Sequence, residues 1–340
     1  MKRTAIISPS GKLYGSEQVL GDFLSATTNI YDVYVFAKGG FCKRLTESKR
    51  HRIHPWTNVK LLYLKLFFAL LFNKYDTIFC NEAGHLRYIY FLSFVFRKKR
   101  FSICFRILED CSRLQYFRKK ELNNIKIIAV SEYMAAAIRK CGFYAKTIID
   151  SYKMSARSQF QIKKIKKVGV IGRVTASKGL ADLEQLLIYM KTNSIDIEVI
   201  LFGTVGDESF KQRVLRNYGD KVKFMGFVAD QKQIYHSVDA VWHFNCHESL
   251  GRIFFEALDY GKFFVGFNSG GIGESGNLLG LSSCLVKKDS NCWERQFLER
   301  TIAADSNIEL FQQAANKIDT LLSPQQYVKE METAIHYNAV

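Results

Sequence analysis

The sequence predicts an α/β protein made of two successive parallel-sheet domains. Three observations carry that expectation. Short apolar runs alternate with amphipathic stretches over most of the chain, the spacing of βα units joined into parallel sheets. A polar, lysine-rich stretch, Ser151–Lys167, breaks the alternation, which then restarts. The chain has 340 residues, more than the roughly 250–300 at which a single core stops growing.

In the first half, "TAIISPS", "YDVYVFAKG", "YDTIFCNE", "FSICFRI" and "IKIIAVSE" read as strands. Between them, "SEQVLGDFLSATT", "VKLLYLKLFFALLFNK", "HLRYIYFLSFVFRKK" and "EYMAAAIRKCG" read as helices. In the second half the strands are "KVGVIGRV", "DIEVILFGTVG", "VKFMGFV", "DAVWHFN" and "FFVGFNSGG", and the helices "GLADLEQLLIYMK", "ESFKQRVLRNYG", "QKQIYHSV" and "RIFFEALDYG". The outcome is two Rossmann-like domains, 1–160 and 161–324, with a C-terminal helix over about 325–340 packing back on the first. Ligands of open parallel sheets sit beyond the carboxyl ends of the strands, so two facing sheets predict a cleft between the domains.

Charge is divided unevenly. Residues 1–150 hold 26 Lys and Arg against 11 Asp and Glu, whereas 151–340 hold 23 against 21. The basic half attracts polyanions: nucleic acid, anionic lipid headgroups or a lipid-linked phosphate acceptor. "FVFRKKRF", "YFRKK" and "LLYLKLFFALLF" add aromatic and aliphatic side chains to those cations, the composition of a surface that docks on anionic lipid, although such runs also build core helices. No paired ribonucleoprotein motif or helix-turn-helix signature accompanies the charge, so nucleic acid is not the expected partner. The eight cysteines form no C-x-x-C pair, which argues against a zinc site and a disulfide framework and fits a reducing cytoplasm. The apolar run at Ala5–Ile7 is too short for a signal peptide, and Leu64–Phe72 and Leu86–Phe96 are too short to span a bilayer.

Three segments carry candidate chemistry. In "VIGRVTASKGL", Arg173 and Lys178 lie in a strand-to-helix loop closed by Gly179, where two cations and helix N-terminal amides suit a diphosphate. "LFGTVGDE" places Gly203 at another strand end, where the backbone can approach a ligand closely. In "CHESLGRIFFEALDYG", Glu248 and Ser249 precede a helix expected near Gly251, so amides of 249–252 face an anion and Glu256 projects from about the second turn. Carboxylates at those two places suit vicinal hydroxyls, as the acidic residue of dinucleotide-binding folds suits ribose. The glycines of "FNSGGIGE" are expected to free the backbone at the next strand end.

The run "VKFMGFVADQKQIYHSVDAVWHFNCHESLGRIFFEALDYGKFFVGFNSGGIGE", preceded by "GRVTASKG", resembles the donor-binding region of retaining glycosyltransferases of family 4, which have the GT-B fold. The order and spacing match over most of Val168–Glu274, and weaker likeness at "YGSEQVLGDFL" sets Gly15 in the family's glycine-rich first loop, with the donor-binding residues. The resemblance implies that Arg173 and Lys178 neutralise the donor diphosphate and stabilise the leaving group. It implies that Glu248 holds the sugar's hydroxyls, that Leu250 and Gly251 offer amides, and that Glu256 binds the ribose. The base would rest near Gly226, Phe227 and Val228. Transfer would proceed with retention and without a bound metal or other cofactor, from a donor such as a UDP- or GDP-sugar to a glycan or lipid-linked acceptor, in bacterial surface polysaccharide or glycolipid synthesis.

The departures from the family pattern fall mainly on the acceptor side. Relatives carry a histidine where this chain has Arg106, which becomes a candidate contact to the donor phosphate or an acidic acceptor, with Asp110 or His85 a candidate polar contact near the transfer site. The family's "NG" after the first domain's last strand is replaced by "IIDSYK", and the proline before the donor glutamate is absent. An enzyme with a divergent acceptor half, attached peripherally at the inner membrane face, is the leading reading. A nucleotide-sugar epimerase, a silent GT-B homologue and, more remotely, a nucleic-acid-binding protein are the alternatives.

Overall fold

The computed structural model describes residues 3–13, 15–161 and 164–336. Tyr14, two residues of the expected linker (162–163) and the last part of the expected C-terminal helix (337–340) lie outside the described residues. The chain divides into two compact units, Met1–Lys153 with Leu322–Val340, and Met154–Leu321.

Unit 1 is a seven-stranded parallel sheet of β1 (Thr4–Ser8), β2 (Asp32–Phe36), β3 (Arg52–Trp56), β4 (Thr77–Cys80), β5 (Arg100–Phe105), β6 (Ile125–Ala129) and β7 (Lys146–Thr147). Their order is β3-β2-β1-β4-β5-β6-β7. The helices are α1 (Gly15–Ala26), α2 (Gly40–Ser48), α3 (Val59–Leu71), α4 (Leu86–Val95) and α5 (Glu132–Lys140). Strands β1, β4 and β5 are buried at every position, which is why they read as continuous apolar runs rather than alternating ones.

Unit 2 is a five-stranded parallel sheet of β8 (Lys167–Ile171), β9 (Glu198–Phe202), β10 (Val222–Gly226), β11 (Ala240–His243) and β12 (Phe263–Gly266), ordered β10-β9-β8-β11-β12. Around it lie α6 (Leu180–Thr192), α7 (Glu208–Tyr218), α8 (Gln231–His236), α9 (Arg252–Asp259), α10 (Gly270–Leu279), α11 (Trp293–Ile302) and α12 (Ile308–Leu321). The entry of the chain into this unit is fixed by Asp259, a fully buried carboxylate at the end of α9. It accepts bonds from the backbone amides of Ser155 (2.8 Å), Ala156 (3.0 Å) and Arg157 (2.7 Å), so residues 155–157 of the polar segment are held locally although they form neither helix nor strand.

After α12 the chain returns to unit 1 as α13 (Pro324–Ile335), capped by the Ser323 hydroxyl. Its Tyr327 and Glu332 face inward. Glu332 accepts from Asn29 Nδ2 at 2.7 Å, from the Tyr31 hydroxyl at 3.2 Å and from the Thr27 hydroxyl.

Candidate functional site

A parallel sheet presents its ligand site where the order of crossovers reverses. In unit 2 that point lies between β8 and β11, which pair directly while their successors run outward on opposite sides. The loop after β8 carries Arg173 and Lys178 and ends in a short 3-10 turn, Ala176–Lys178. Gly179 follows with φ 79° and lies so close to the β11 loop that a Cβ there would meet the Phe244 carbonyl oxygen at 2.5 Å. Only glycine permits both the left-handed turn and that approach.

The approach brings Lys178 onto Glu248. Lys178 Nζ donates to Glu248 Oε2 at 2.9 Å, and Asn245 Nδ2 donates to the same oxygen at 2.8 Å. Buried His243, the last residue of β11, sets its Nε2 3.6 Å from that oxygen and makes no hydrogen bond through it among the described residues. The opposing effects on Glu248 are unequal: burial raises its pKa, but the Lys178 ammonium, His243 and the two hydrogen bonds hold the carboxyl below its usual range. Burial pushes the His243 imidazole down to about 4. At neutral pH Glu248 is therefore a carboxylate and His243 a neutral imidazole. Oε2 is occupied by two donors, while Oε1 has no hydrogen-bond partner among the described residues.

Beyond Glu248 the chain turns through Ser249 and Leu250, both buried, to Gly251, the N-cap of α9 with φ 80°. A side chain on Gly251 would strike Ile272 at 2.2 Å. Glu256 follows at the fifth position of α9 and accepts from the Tyr235 hydroxyl at 3.0 Å. The Tyr235 ring stacks on Tyr260 at 4.6 Å, so this carboxylate is braced from α8. The turn is also held from below by α10: the Gly271 amide donates to the Glu248 carbonyl at 2.6 Å, and the Ser275 hydroxyl to that of Leu250 at 2.9 Å. The glycines of "FNSGGIGE" thus begin a helix packed on the candidate site, rather than ending a strand in front of it.

Residues 165–299 match the family of glycosyl transferases, group 1. The matched segment contains both loops of the switch point, with Arg173, Lys178, Glu248 and Glu256. Among solved structures the whole chain resembles Anabaena HepE (Alr3699) in complex with UDP and glucose, at TM-score 0.79 and 20% identity, covering 99% of this chain and 100% of that one. It also resembles a glycosyltransferase from Rickettsia africae (TM-score 0.72, 15% identity, 99% of both chains). The lipopolysaccharide outer core galactosyltransferase WaaB is a third such structure (TM-score 0.68, 15% identity, 98% and 99% of the two chains). These likenesses establish the fold as that of the GT-B glycosyltransferases. No curated protein matches the sequence.

The group 1 segment also locates the remaining expected donor residues. Arg173 is exposed, and its side chain makes no hydrogen bond or ion pair among the described residues. Gly203 follows β9 and donates its amide to the carbonyl of Gly226, the last residue of β10, at 2.8 Å. Phe227 is 77% exposed beside it, while Val228 packs on the cluster of Ile200, Phe202, Ile234 and Val238. Among the described residues no group of three or more His, Cys, Asp or Glu is placed to hold a metal ion. A cavity of about 480 Å³, bounded by Gln159, His236 and Tyr260, opens at the amino ends of β11 and β12. Ligands of parallel sheets do not collect at that end.

The expected acceptor-side residues belong to unit 1 and are arranged differently. Arg106, which follows β5, is buried. It donates from Nε to the Asn81 carbonyl at 3.1 Å, and from Nη2 to Asn81 Oδ1 and the Tyr327 hydroxyl, each at 3.2 Å; Nη1 pairs with Asp150. Its donors are turned into the unit, where they tie β4, β5 and α13 together. Asp110 pairs with Arg113 at 2.6 Å on a 3-10 segment, Leu108–Tyr116, and makes no bond to Arg106. Gly15 begins α1.

Sequence reasoning missed the polar group at unit 1's own switch point, between β1 and β4. There the Ser16 hydroxyl lies 2.9 Å from Glu17 Oε2 and 2.6 Å from Glu82 Oε1. One hydroxyl has one proton, so the second of these bonds needs a proton from a carboxyl. Burial, followed by repulsion from Glu82, pushes Glu17 up to about 7, which supplies it. His243 and Asn245 were missed too. An imidazole ending an apolar strand was the available signal.

Proposed function

We propose that this protein is a glycosyltransferase that moves a sugar from a nucleoside-diphosphate sugar to a glycan or lipid-linked acceptor, with retention at the anomeric carbon and without a metal. One observation carries the reading: Glu248, inside the group 1 segment, is fixed through Oε2 by Lys178 and Asn245 and keeps Oε1 for a ligand. Oε1 accepts hydroxyls of the donor sugar. Lys178 and the unpaired Arg173 face the diphosphate, joined by the amides that open α9 after Gly251. Glu256, braced by Tyr235, accepts the ribose hydroxyls. The backbone of Gly226–Val228 faces the base.

In the transfer, the acceptor oxygen bonds to the anomeric carbon as the bond from that carbon to the diphosphate oxygen breaks. The acceptor's proton leaves with the diphosphate. The cations act where the leaving group gains negative charge, which is the place where an electrostatic contact lowers the barrier rather than merely the KM. Anabaena HepE was solved with UDP-glucose, which makes UDP-sugars the first donors to try. The basic unit 1 takes the acceptor, in surface polysaccharide or glycolipid synthesis.

The test is incubation with UDP-, GDP- and ADP-sugars and lipid-linked or free glycan acceptors, with products followed by mass spectrometry and the new linkage by proton NMR. One donor is expected to yield product with its anomeric configuration kept. An inverted linkage would remove the retaining mechanism. Conversion of the donor sugar with no transfer would replace the reading by an epimerase.

A further inference from the structure

Helix α3, "VKLLYLKLFFALL", is apolar almost all round. A helix of that kind normally has apolar surroundings on every side. In this fold only half of it does. Leu62, Tyr63, Leu66 and Leu70 are buried in unit 1, whereas Leu61, Leu64, Phe68, Leu71 and Phe72, just past the helix end, form an outward stripe that is 48% to 77% exposed. Helix α4 repeats the arrangement with Phe91, Phe94 and Val95, 44% to 57% exposed. The two helices lie side by side, joined by rings: Tyr63 stacks on Tyr88 at 4.6 Å and Phe67 on Phe91 at 6.4 Å. Eight of the nineteen large apolar side chains exposed among the described residues therefore share one surface. Contiguous apolar surface of this extent marks an interaction site on a soluble protein.

The charge around it selects the occupant. Residues 59–99 contain seven Lys and Arg and two acids. One of those acids, Asp76, is already paired with Lys99 at 3.1 Å. Lys60, Arg87 and Lys98 make no ion pair among the described residues, and the Arg97 guanidinium lies over the Phe94 ring at 5.4 Å. A second copy of the same surface would bring cations against cations. A bilayer with anionic headgroups offers the complement to both features, since aromatic and leucine side chains enter the headgroup–acyl boundary while Lys and Arg remain among the phosphates. No helix among the described residues is long and apolar enough to cross a membrane.

We propose that the α3–α4 surface docks unit 1 on an anionic lipid bilayer, with Leu64, Phe68, Phe91 and Phe94 inserted at the interface and the surrounding lysines and arginines on lipid phosphates. The surface is remote in sequence from the donor loops and uses no residue of them, so it stands or falls separately from sugar transfer.

The experiment is co-sedimentation of the full chain with phosphatidylcholine vesicles, with and without phosphatidylglycerol, at low and high salt. Wild type is expected to bind the phosphatidylglycerol vesicles strongly at low salt and to keep part of that binding at high salt, because insertion is not screened. The double variant Phe68→Ser/Phe91→Ser is expected to lower partitioning about tenfold or more. Its UDP-induced thermal shift should match that of wild type, which separates loss of the surface from loss of the fold. No binding to anionic vesicles, equal binding to both kinds of vesicle, or a dimer in light scattering that the same double variant dissolves would each overturn the proposal. Vesicle binding without any nucleotide-induced shift would keep the docking surface and count against the transferase reading instead.

Discussion

At the scale of single residues, three buried charged side chains of unit 1 have consequences that can be measured. Glu17 is fully buried, shares the Ser16 hydroxyl with Glu82, and is pushed up to about 7. Its folded pKa lies above the ordinary 4.5, so between about pH 4.5 and 7 the folded protein holds a proton that the unfolded chain has lost. Stability therefore falls as pH rises through that window and levels off above it. In Glu17→Gln this slope should vanish, leaving the variant more stable than wild type at pH 8 by about 1–3 kcal/mol and little changed at pH 4.5. Urea unfolding at the two pH values reads the difference, and a parallel pH profile for variant and wild type would refute it.

Arg106 and Asp150 illustrate the opposite case, a buried pair whose members need one another. Arg106→Leu strands Asp150 and removes the donors that hold Asn81 and Tyr327, and should cost about 3–5 kcal/mol. Chemical unfolding of the variant measures it. A cost below about 1 kcal/mol would mean that the guanidinium is free for a ligand after all.

At the scale of elements, α10 tests what makes a helix in this protein. Four of its ten residues are glycine, a composition that intrinsic propensity opposes by about 1 kcal/mol per residue relative to alanine. The helix forms because Gly271 seats its first turn on the Ser249–Leu250 backbone, where a Cβ would meet Leu250 N at 2.5 Å. Propensity and packing therefore predict opposite signs for Gly271→Ala. Packing should prevail, with a loss of about 1–3 kcal/mol in thermal unfolding and weaker nucleotide binding, because the displaced backbone carries Glu248. A stabilised variant would mean that the contact is not tight.

The same helix shows why part of the fold was hidden in the sequence. Central strands announce themselves through unbroken apolar runs such as "TAIIS", and the candidate donor loops through spacing: Lys178 and Glu248 could be nominated because βα units bring strand-end loops together. "GGIGESGNLL" carried no helical signal, since its reason for being helical lies in another segment. Strand β3, "RIHPW", was missed for a related cause. It is an edge strand, half exposed, and its Pro55 would be excluded from a central position. The inward turn of Arg106 depends on Asn81, Asp150 and Tyr327, three residues distant in sequence, so no local pattern could show it.

At the scale of the whole molecule, two parallel sheets of the same kind have divided their surfaces between different chemistries. Unit 2 is close to neutral, with Arg173 and Lys178 on its β8 loop and Glu248 on its β11 loop. Unit 1 carries nearly all of the chain's +17 excess, together with the apolar α3–α4 surface. This division suits a protein that holds a small anionic donor in one sheet and works on a large or membrane-bound acceptor with the other.

The central claim is that the β8 and β11 loops bind a nucleoside-diphosphate sugar. The most direct measurement is the thermal shift of the full chain with UDP-, GDP- and ADP-sugars, for wild type, Lys178→Ala and Glu256→Ala. One donor class should stabilise wild type, by about 2.7 kcal/mol at a hundredfold excess over its Kd. Each substitution should weaken that donor about 10- to 100-fold through loss of a charge-assisted contact. If none of the three classes stabilises the protein, or the stabilisation survives in both variants, the donor site is not where these loops meet.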